Sequence, residues 1–459
     1  MLNKYFKFTL LGLLAVEILS LIGYNVPIVN LIGFFVIAVI VLVLSFYKLE
    51  YGFYILLAEL FVGSKGYLFY FDDVSIRIVL FVIVFGVWLG RFLVRRKSVF
   101  LKSSLRNYWL ILMVFVLWGI VRGFLNGNEF SNIFLDANAW IFLLLIFPAY
   151  DVIKNDLQIK NVFQILFAAV LFLSLKTLAS LFIFTNFGWE IGSWSFDFYR
   201  WIRETGVGEV TLLDSGFYRV FFQSQIWVLI GLLILLCRDH ALPRLYTVIA
   251  IVSILFAAIL TSLSRSFWLG GAVGLLFIFI LIKKKLHFLI KIISAGLISF
   301  LIITLISPSF LSTISGRVQD SGEVAVSSRW NLLPPLWENV KSNWFLGSGF
   351  GTTVAYKTED PKVLEQNPSG WYTTYAFEWG YLDIWLKIGI FGLLAYLVLI
   401  GKIFYEGFLK IKERNLNIGL LAGLVALCAV SIFSPYLNHP LGIGYVVLLS
   451  VIFKNNIRN

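Results

Sequence analysis

Runs of about 18 or more apolar residues recur along this whole chain, and no other feature constrains its fold so strongly. A helix of that length crosses a hydrocarbon core of ~30 Å. Helices also satisfy their own backbone hydrogen bonds where no water can do so. Hydrophobic residues make up 60% of the 459, and charged ones only 14%. That is more apolar surface than a water-soluble core can enclose. The expected fold is an all-α, polytopic integral membrane protein, and the alternation of a membrane barrel is absent. Up to fourteen apolar segments can be counted. Tyr51–Val62 and His439–Phe453 are short enough to be half-spans, so 12–14 transmembrane helices are expected. The first run lacks a small-residue cleavage site and reads as a retained span.

The net charge of +12 would suit nucleic acid if it were gathered on a soluble face. It is scattered instead among short loops. Arg95, Arg96, Lys97, Lys102 and Arg106 form one cluster, and Lys283, Lys284 and Lys285 another. Lys410, Lys412 and Arg414 form a third, with Arg238 and Arg244 a fourth. In a fourteen-span chain all four fall on the same side as both termini, which the positive-inside rule makes cytoplasmic. Nucleic acid is therefore not an expected partner. The two long polar loops fall on the other side. Asn186–Gly216 carries five acidic and two basic residues, and Pro308–Glu378 carries seven and five. Three regions follow: an N-terminal bundle over 1–307, a large extracytoplasmic loop with an interfacial helix over 308–378, and C-terminal helices over 379–459. No nucleotide-binding domain is visible. Cys237 and Cys428 read as packing residues, and His240, His287 and His439 sit at span edges without metal-ligand spacing.

Four polar stations face the outer side. Arg219 and Gln223 in YRVFFQSQIW are four residues apart at the mouth of a span, on one expected helix face. Arg265, in LTSLSRSFWLGG, lies between two apolar runs with almost no loop around it. Arg329 precedes a stripe of Trp330, Leu333, Trp337, Val340 and Trp344, which suits an interfacial helix with Pro334 and Pro335 near its start. A glycine-rich turn, Gly347, Gly349 and Gly351, follows it and is weak evidence for a phosphate loop. Tyr375, Glu378 and Asp383 open the next span, and Tyr375 and Glu378 can face one cavity. Each station alone has a bland reading as a snorkelling arginine, an interfacial anchor or a helix-end charge. Together, three arginines and a carboxylate near one lipid boundary suit a lipid-linked diphosphate and a sugar hydroxyl. Within the spans, Lys176 is expected to pair with a carboxylate such as Glu59 or to line the cavity.

At these stations the chain resembles the superfamily of O-antigen ligases and O-antigen polymerases, integral membrane glycosyltransferases with about twelve spans and a large outer loop. Recognisable motifs run from about Phe217 to Leu399. The family's arginine before a span resembles YRVFFQSQIW at Arg219, and its Ser-Arg motif resembles SRSFWLGG at Arg265. Its Arg-Trp with Leu-Gly-x-Gly resembles the stretch holding Arg329, Gly347 and Gly349. Its closing motif is similar in part to EWGYLDIWLKIGIFG, at Leu382, Gly389 and Gly392. Where ligases carry a His-Asn pair, this chain has Glu378 and Trp379, and Lys387 stands at the family's acidic position. That departure favours the polymerase branch.

The resemblance implies glycosyl transfer from an undecaprenyl-diphosphate-linked oligosaccharide at the outer face of a bacterial cytoplasmic membrane, with no cofactor and no metal. It implies Glu378, Arg265 and Arg329 as catalytic residues and Arg219, Gln223, Tyr375 and Trp330 as substrate-binding ones. It implies membrane lipids, a flippase and a chain-length regulator as partners. Transfer of a finished glycan to lipid A core, as by a ligase, is the second reading. A lipid-linked oligosaccharide flippase is the third, and the missing internal repeat counts against it.

Overall fold

The structure, a computed structural model, describes residues 3–238, 242–319, 324–359 and 361–455. His240 and the side chain of Arg244 lie outside the described residues. Helices α1 (Lys4–Asn25) and α2 (Pro27–Tyr47) open the chain. Asn3 caps the first through its side chain, and Pro27 starts the second, where a proline loses no helical hydrogen bond. α3 (Leu49–Val62) has 14 residues, a length of about 21 Å, less than a full crossing. Strands β1 (Tyr70–Phe71) and β2 (Val74–Ser75) pair in the turn before α4 (Ile76–Arg95) and α5 (Arg106–Leu125). The next apolar segment is not one helix. α6 (Phe130–Ala137) passes through a tighter 3₁₀ stretch into α7 (Ile146–Val152). α8 (Asp156–Phe187) runs for 32 residues from a capping box made by Asn155 and Gln158.

The first long loop holds α9 (Trp194–Glu204) and an antiparallel hairpin of β3 (Gly208–Leu212) and β4 (Tyr218–Phe222). Then come α10 (Gln225–Cys237), α11 (Leu242–Thr261), α12 (Arg265–Leu281) and α13 (Lys285–Ile306). The second long loop holds α14 (Phe310–Gln319), α15 (Val324–Ser342), β5 (Val354–Lys357), α16 (Pro361–Gln366) and β6 (Trp371–Thr374). α17 (Gly380–Leu409), α18 (Asn415–Val430) and α19 (Pro440–Asn455) complete the chain. Among the described residues, eight segments are long and apolar enough to cross a membrane, and five shorter apolar helices accompany them. The protein is an all-α, polytopic membrane protein.

Helix α10 is the centre of the bundle. Every one of its residues is buried, against α8, α11, α12 and α18, as befits a helix apolar on all faces. Helices in lipid associate by close packing rather than by a hydrophobic effect. Here glycines four apart provide it. A Cβ on Gly270 of α12 would stand 2.4 Å from Val430 of α18, and one on Gly274 2.7 Å from Leu233. On α18, Gly419 lies against the backbone of Ile234 just as closely.

The basic loops gather at one end. Lys454 donates to the Val99 carbonyl (3.3 Å), Arg414 pairs with Asp156 (3.2 Å) and Lys291 donates to the Arg238 carbonyl (3.1 Å). At the other end the long loops meet each other, with Ser215 bonded to Thr313 (2.7 Å), and the first of them docks on α1. Tyr24 bonds Glu204, and Trp201 donates to Ser20. Two buried ion pairs join helices near this end. Arg77 grips Glu59 through two bonds (2.8 and 2.9 Å). Lys176 pairs with Glu17 at 2.6 Å and lies over the rings of Trp201 and Phe222. Glu59, the expected partner of Lys176, is thus committed to Arg77.

Candidate active site

α15 carries one half of the central pair, Arg329. Its buried face is Leu332, Leu336 and Val340, one residue per turn, packed on Val354, Phe377 and Leu386. The expected tryptophan stripe is not that face. Trp330 and Trp337 lie on the exposed side, and Trp344 stands beyond the helix end. Nor do Pro334 and Pro335 open the helix. It begins at Val324, so they fall in its middle, and Arg329 lies inside it rather than at its entrance. With this face seated, the Arg329 guanidinium donates to Glu378, and the Trp379 indole donates to the Arg329 carbonyl (3.1 Å). The rings of Trp330 and Trp379 meet edge to face at 5.5 Å. A guanidinium, a carboxylate and an aromatic wall therefore share one half-exposed patch.

Glu378 does not sit on the span helix, because α17 starts at Gly380. Tyr375 is likewise on the non-helical stretch after β6, so the expected helical facing of Tyr375 and Glu378 is replaced by an irregular connection that bends at both residues. Tyr375 is half-buried, and burial, followed by the nearby Asp136 carboxylate, pushes its phenol above the ordinary range. It remains a protonated donor. Its carbonyl accepts from Lys387 at 3.1 Å.

The glycine-rich turn has a purpose other than phosphate binding. Gly347, Gly349 and Gly351 all have positive φ, from 76° to 84°. A Cβ on Gly349 would lie 2.1 Å from the Gly123 nitrogen of α5. The peptide is laid between α5 and α17, where backbone touches backbone. α17 is broken at Gly389 (φ 72°, ψ 175°). The helical bond that would run from the Ile390 N–H to the Leu386 carbonyl is missing there. Trp344 and Ser348 replace both halves of it: Ile390 donates to the Trp344 carbonyl (3.0 Å), and the Ser348 N–H donates to Leu386 (2.6 Å). Phe350 donates to the Gly119 carbonyl (3.0 Å), and the amides of Asn126 and Asn128 reach the Ser348 and Phe350 carbonyls. Irregular backbone is tolerated at this depth only when protein satisfies it.

A buried charge cluster locks this insertion, and only part of it was foreseen. Lys387 reaches Asp136 of α6 and Asp383 of its own helix, each at 2.5 Å. Asp136 also accepts from the Gly351 N–H (2.9 Å), and Asn438 donates to Asp383. Lys387 and Asp383 are legible as an i,i+4 pair. Asp136 lies 251 residues from Lys387, and no local pattern announces it.

Arg219 and Gln223 do not share a helix face. Arg219 is on strand β4, and Gln223 is in the turn before α10. A short apolar run does not distinguish strand from helix, and β4 alternates, with Val220 and Phe222 buried against β3. Arg219 donates to the Ser262 carbonyl (2.9 Å) in the turn that leads to Arg265, the first, exposed residue of α12. Gln223 borders a 150 Å³ polar pocket with Lys65, Arg203 and Glu209. Its buried Oε1 has no hydrogen-bond partner among the described residues.

The two halves of the site meet on the 431–439 loop, a stretch that sequence reading did not single out. Phe433 packs on Trp379 at 5.4 Å, Ser434 bonds Ser266 (3.0 Å), and Tyr436 donates to the Gln223 carbonyl (2.9 Å) while its ring faces Phe267. Arg329, Trp330 and Glu378 lie on one flank of this loop. Arg219, Gln223 and the start of α12 lie on the other.

Residues 249–397 match the family described as O-Antigen ligase. The match takes in Arg265, Arg329, Glu378 and Lys387 and leaves Arg219 and Gln223 outside. An O-antigen polymerase of Shigella flexneri is 27% identical over 419 residues, which cover 87% of this chain and 93% of that protein.

Proposed function

We propose, from the premise that this chain is a member of the O-antigen ligase and polymerase superfamily, that it polymerises lipid-linked oligosaccharide repeat units at the outer face of a bacterial cytoplasmic membrane. The observation that carries the proposal is the Arg329–Glu378 pair, set against Trp330 and Trp379 at the end of the bundle away from the basic loops. A guanidinium fork binds phosphate oxygens in bidentate fashion and keeps its charge in poor dielectric. A donor diphosphate competes with Glu378 for Arg329. Once the diphosphate takes the guanidinium, the Glu378 carboxylate is released toward the acceptor hydroxyl.

The step balances without a further reactant. The hydroxyl oxygen of the acceptor sugar forms a bond to the anomeric carbon of the donor, and its proton passes to Glu378. The anomeric carbon–oxygen bond to the diphosphate breaks, and the electron pair leaves with the polyprenyl diphosphate. Arg329, with Arg265 and Arg219 across the loop, neutralises the charge that develops there. Trp330 offers an aromatic face to sugar C–H groups, and the pocket at Gln223 offers polar contacts to the glycan. The near full-length relative named as a polymerase, and Glu378 in place of the ligase histidine, favour chain extension over transfer to a separate acceptor.

The test is a reaction of the purified protein with undecaprenyl-diphosphate-linked repeat units, without added ATP or metal, resolved on a gel. A ladder of lengthening lipid-linked glycans is expected. Transfer of one intact glycan, and only when a separate acceptor is supplied, would make the protein a ligase. Absence of any covalent product from the native repeat unit would overturn the glycosyl-transfer reading.

A further inference from the structure

The opposite end of the bundle holds a large basic cavity. A cavity of 830 Å³ opens among the ends of α2, α4 and α7, and seven cationic side chains border it against two carboxylates. Both carboxylates are already engaged. Glu50 pairs with Lys48 (2.8 Å), and Asp151 accepts from the Trp88 indole and the Val99 N–H (2.7 Å each). Arg95, Arg96, Lys97, Lys102 and Lys154 have no salt-bridge partner among the described residues and border the same cavity. Loop cations that merely mark the cytoplasmic side need not converge on a cavity.

A separate groove continues from this cavity along the lipid-facing side. It occupies 630 Å³ between α2 and α4, walled by Leu42, Phe46, Val82 and Val94. Gly86 and Gly90 lie along it, and a Cβ on either would meet nothing within 4 Å. Arg91 and Arg95 border both the cavity and the groove. Arg91 is held there by the last carbonyls of α2, Ser45 and Phe46 (2.8 and 2.7 Å). An anionic head and a hydrocarbon tail, joined at the level of these arginines, match the two spaces.

We infer that this cavity and groove form a binding site for a phosphate-headed lipid, with the head among Arg95, Arg96 and Lys97 and a chain along Gly86 and Gly90. The site is independent of the glycosyl-transfer reading and lies at the other end of the molecule. Two lipids present this chemistry, an anionic phospholipid of the adjacent leaflet and a polyprenyl phosphate. Basic recesses between helix ends attract such heads by charge.

The experiment follows the melting temperature of the purified full chain in detergent as single compounds are added: dioleoyl phosphatidylglycerol, dioleoyl phosphatidylcholine, undecaprenyl phosphate and glycerol 3-phosphate. Ligand binding to the folded state raises the midpoint. Phosphatidylglycerol is expected to raise it and phosphatidylcholine to leave it unchanged. Glycerol 3-phosphate, which lacks a tail, is expected to have little effect. Gly90→Leu projects a side chain into the groove from a Cβ position with nothing within 4 Å, so its lipid-free midpoint should hold while the lipid-induced shift disappears. Arg95→Gln and Arg96→Gln should each weaken the lipid about fivefold. A larger shift with undecaprenyl phosphate than with phosphatidylglycerol would keep the site and assign it to the polyprenyl lipid. Equal shifts from phosphatidylcholine and phosphatidylglycerol, or a full shift retained in Gly90→Leu, would overturn the inference.

Discussion

Arg329 and Glu378 hold each other at a half-exposed place, where an ion pair contributes little to folding. Their substitution should therefore separate chemistry from stability. Glu378→Gln keeps the shape and removes the proton acceptor. It should cost about 10²–10³ in polymerisation rate and leave the melting temperature within about 2 °C of the parent. Unchanged turnover would remove Glu378 from the mechanism. Arg329→Ala and Arg265→Ala should each lose a comparable factor, and near-full activity in either would cancel its role. These residues could be picked out as candidates in the sequence because a charge at the edge of an apolar run stands out. Their mutual geometry was not legible. Arg329 and Glu378 are 49 residues apart, and the helix that aims Arg329 begins at Val324, before the tryptophan stripe that starts at Trp330. Asp136 was missed for the same reason: a lone carboxylate in an apolar segment gives no sign of which distant lysine it will meet.

Elements in this protein are shaped by what lies beside them. α17 is broken at Gly389 because the 344–348 peptide supplies the hydrogen bonds that the helix gives up. Gly349 makes the approach possible, so Gly349→Ala should be severe. The new Cβ meets the Gly123 nitrogen at 2.1 Å, and φ is +84°, a conformation that costs an L-residue roughly 1–2 kcal/mol before any clash. Loss of folded protein on gel filtration is expected. Gly401→Ala, on the same helix with nothing within 4 Å of its Cβ, should be harmless. Lys387→Met leaves two buried carboxylates facing one another and should destabilise by about 3–5 kcal/mol. Lys387→Met combined with Asp136→Asn and Asp383→Asn should recover part of that. If the single substitution melts like the parent, the cluster does not hold the insertion. Apolar run length located most of the long helices here, but the break in α17 and the strand at Tyr218–Phe222 are decided by tertiary partners. An apolar run alone reads the same way in either case.

The molecule as a whole has two chemically different ends, and its proposed activity requires a particular one to face outward. Repeat units linked to a lipid diphosphate would be joined at the outer face, so the Arg329–Glu378 patch has to open there. On the positive-inside rule, the clustering of Arg95, Arg96, Lys97, Lys284 and Lys410 at the opposite end assigns that end to the cytoplasm, the orientation the proposal needs. The fold class was legible from composition alone, whereas the sidedness is an expectation from loop charge that labelling has to test. The assembly of the Arg329–Glu378 end around residues 431–439 was not legible, because that loop has no charge pattern and works through neutral side chains, by hydrogen bonds from Ser434, Tyr436 and Asn438 and by ring packing. Sidedness can be measured with single cysteines. Cys237 is buried and Cys428 half-buried, so reaction of the parent protein with a membrane-impermeant maleimide should be slight. Ser369→Cys, exposed in the turn before β6, should label in intact spheroplasts. Lys284→Cys, exposed between α12 and α13, should label only after the membrane is opened. The reverse pattern would place Arg329 and Glu378 in the cytoplasm and the basic cavity outside. The polymerisation proposal would then fail on location, even if every side chain at the site behaved as expected.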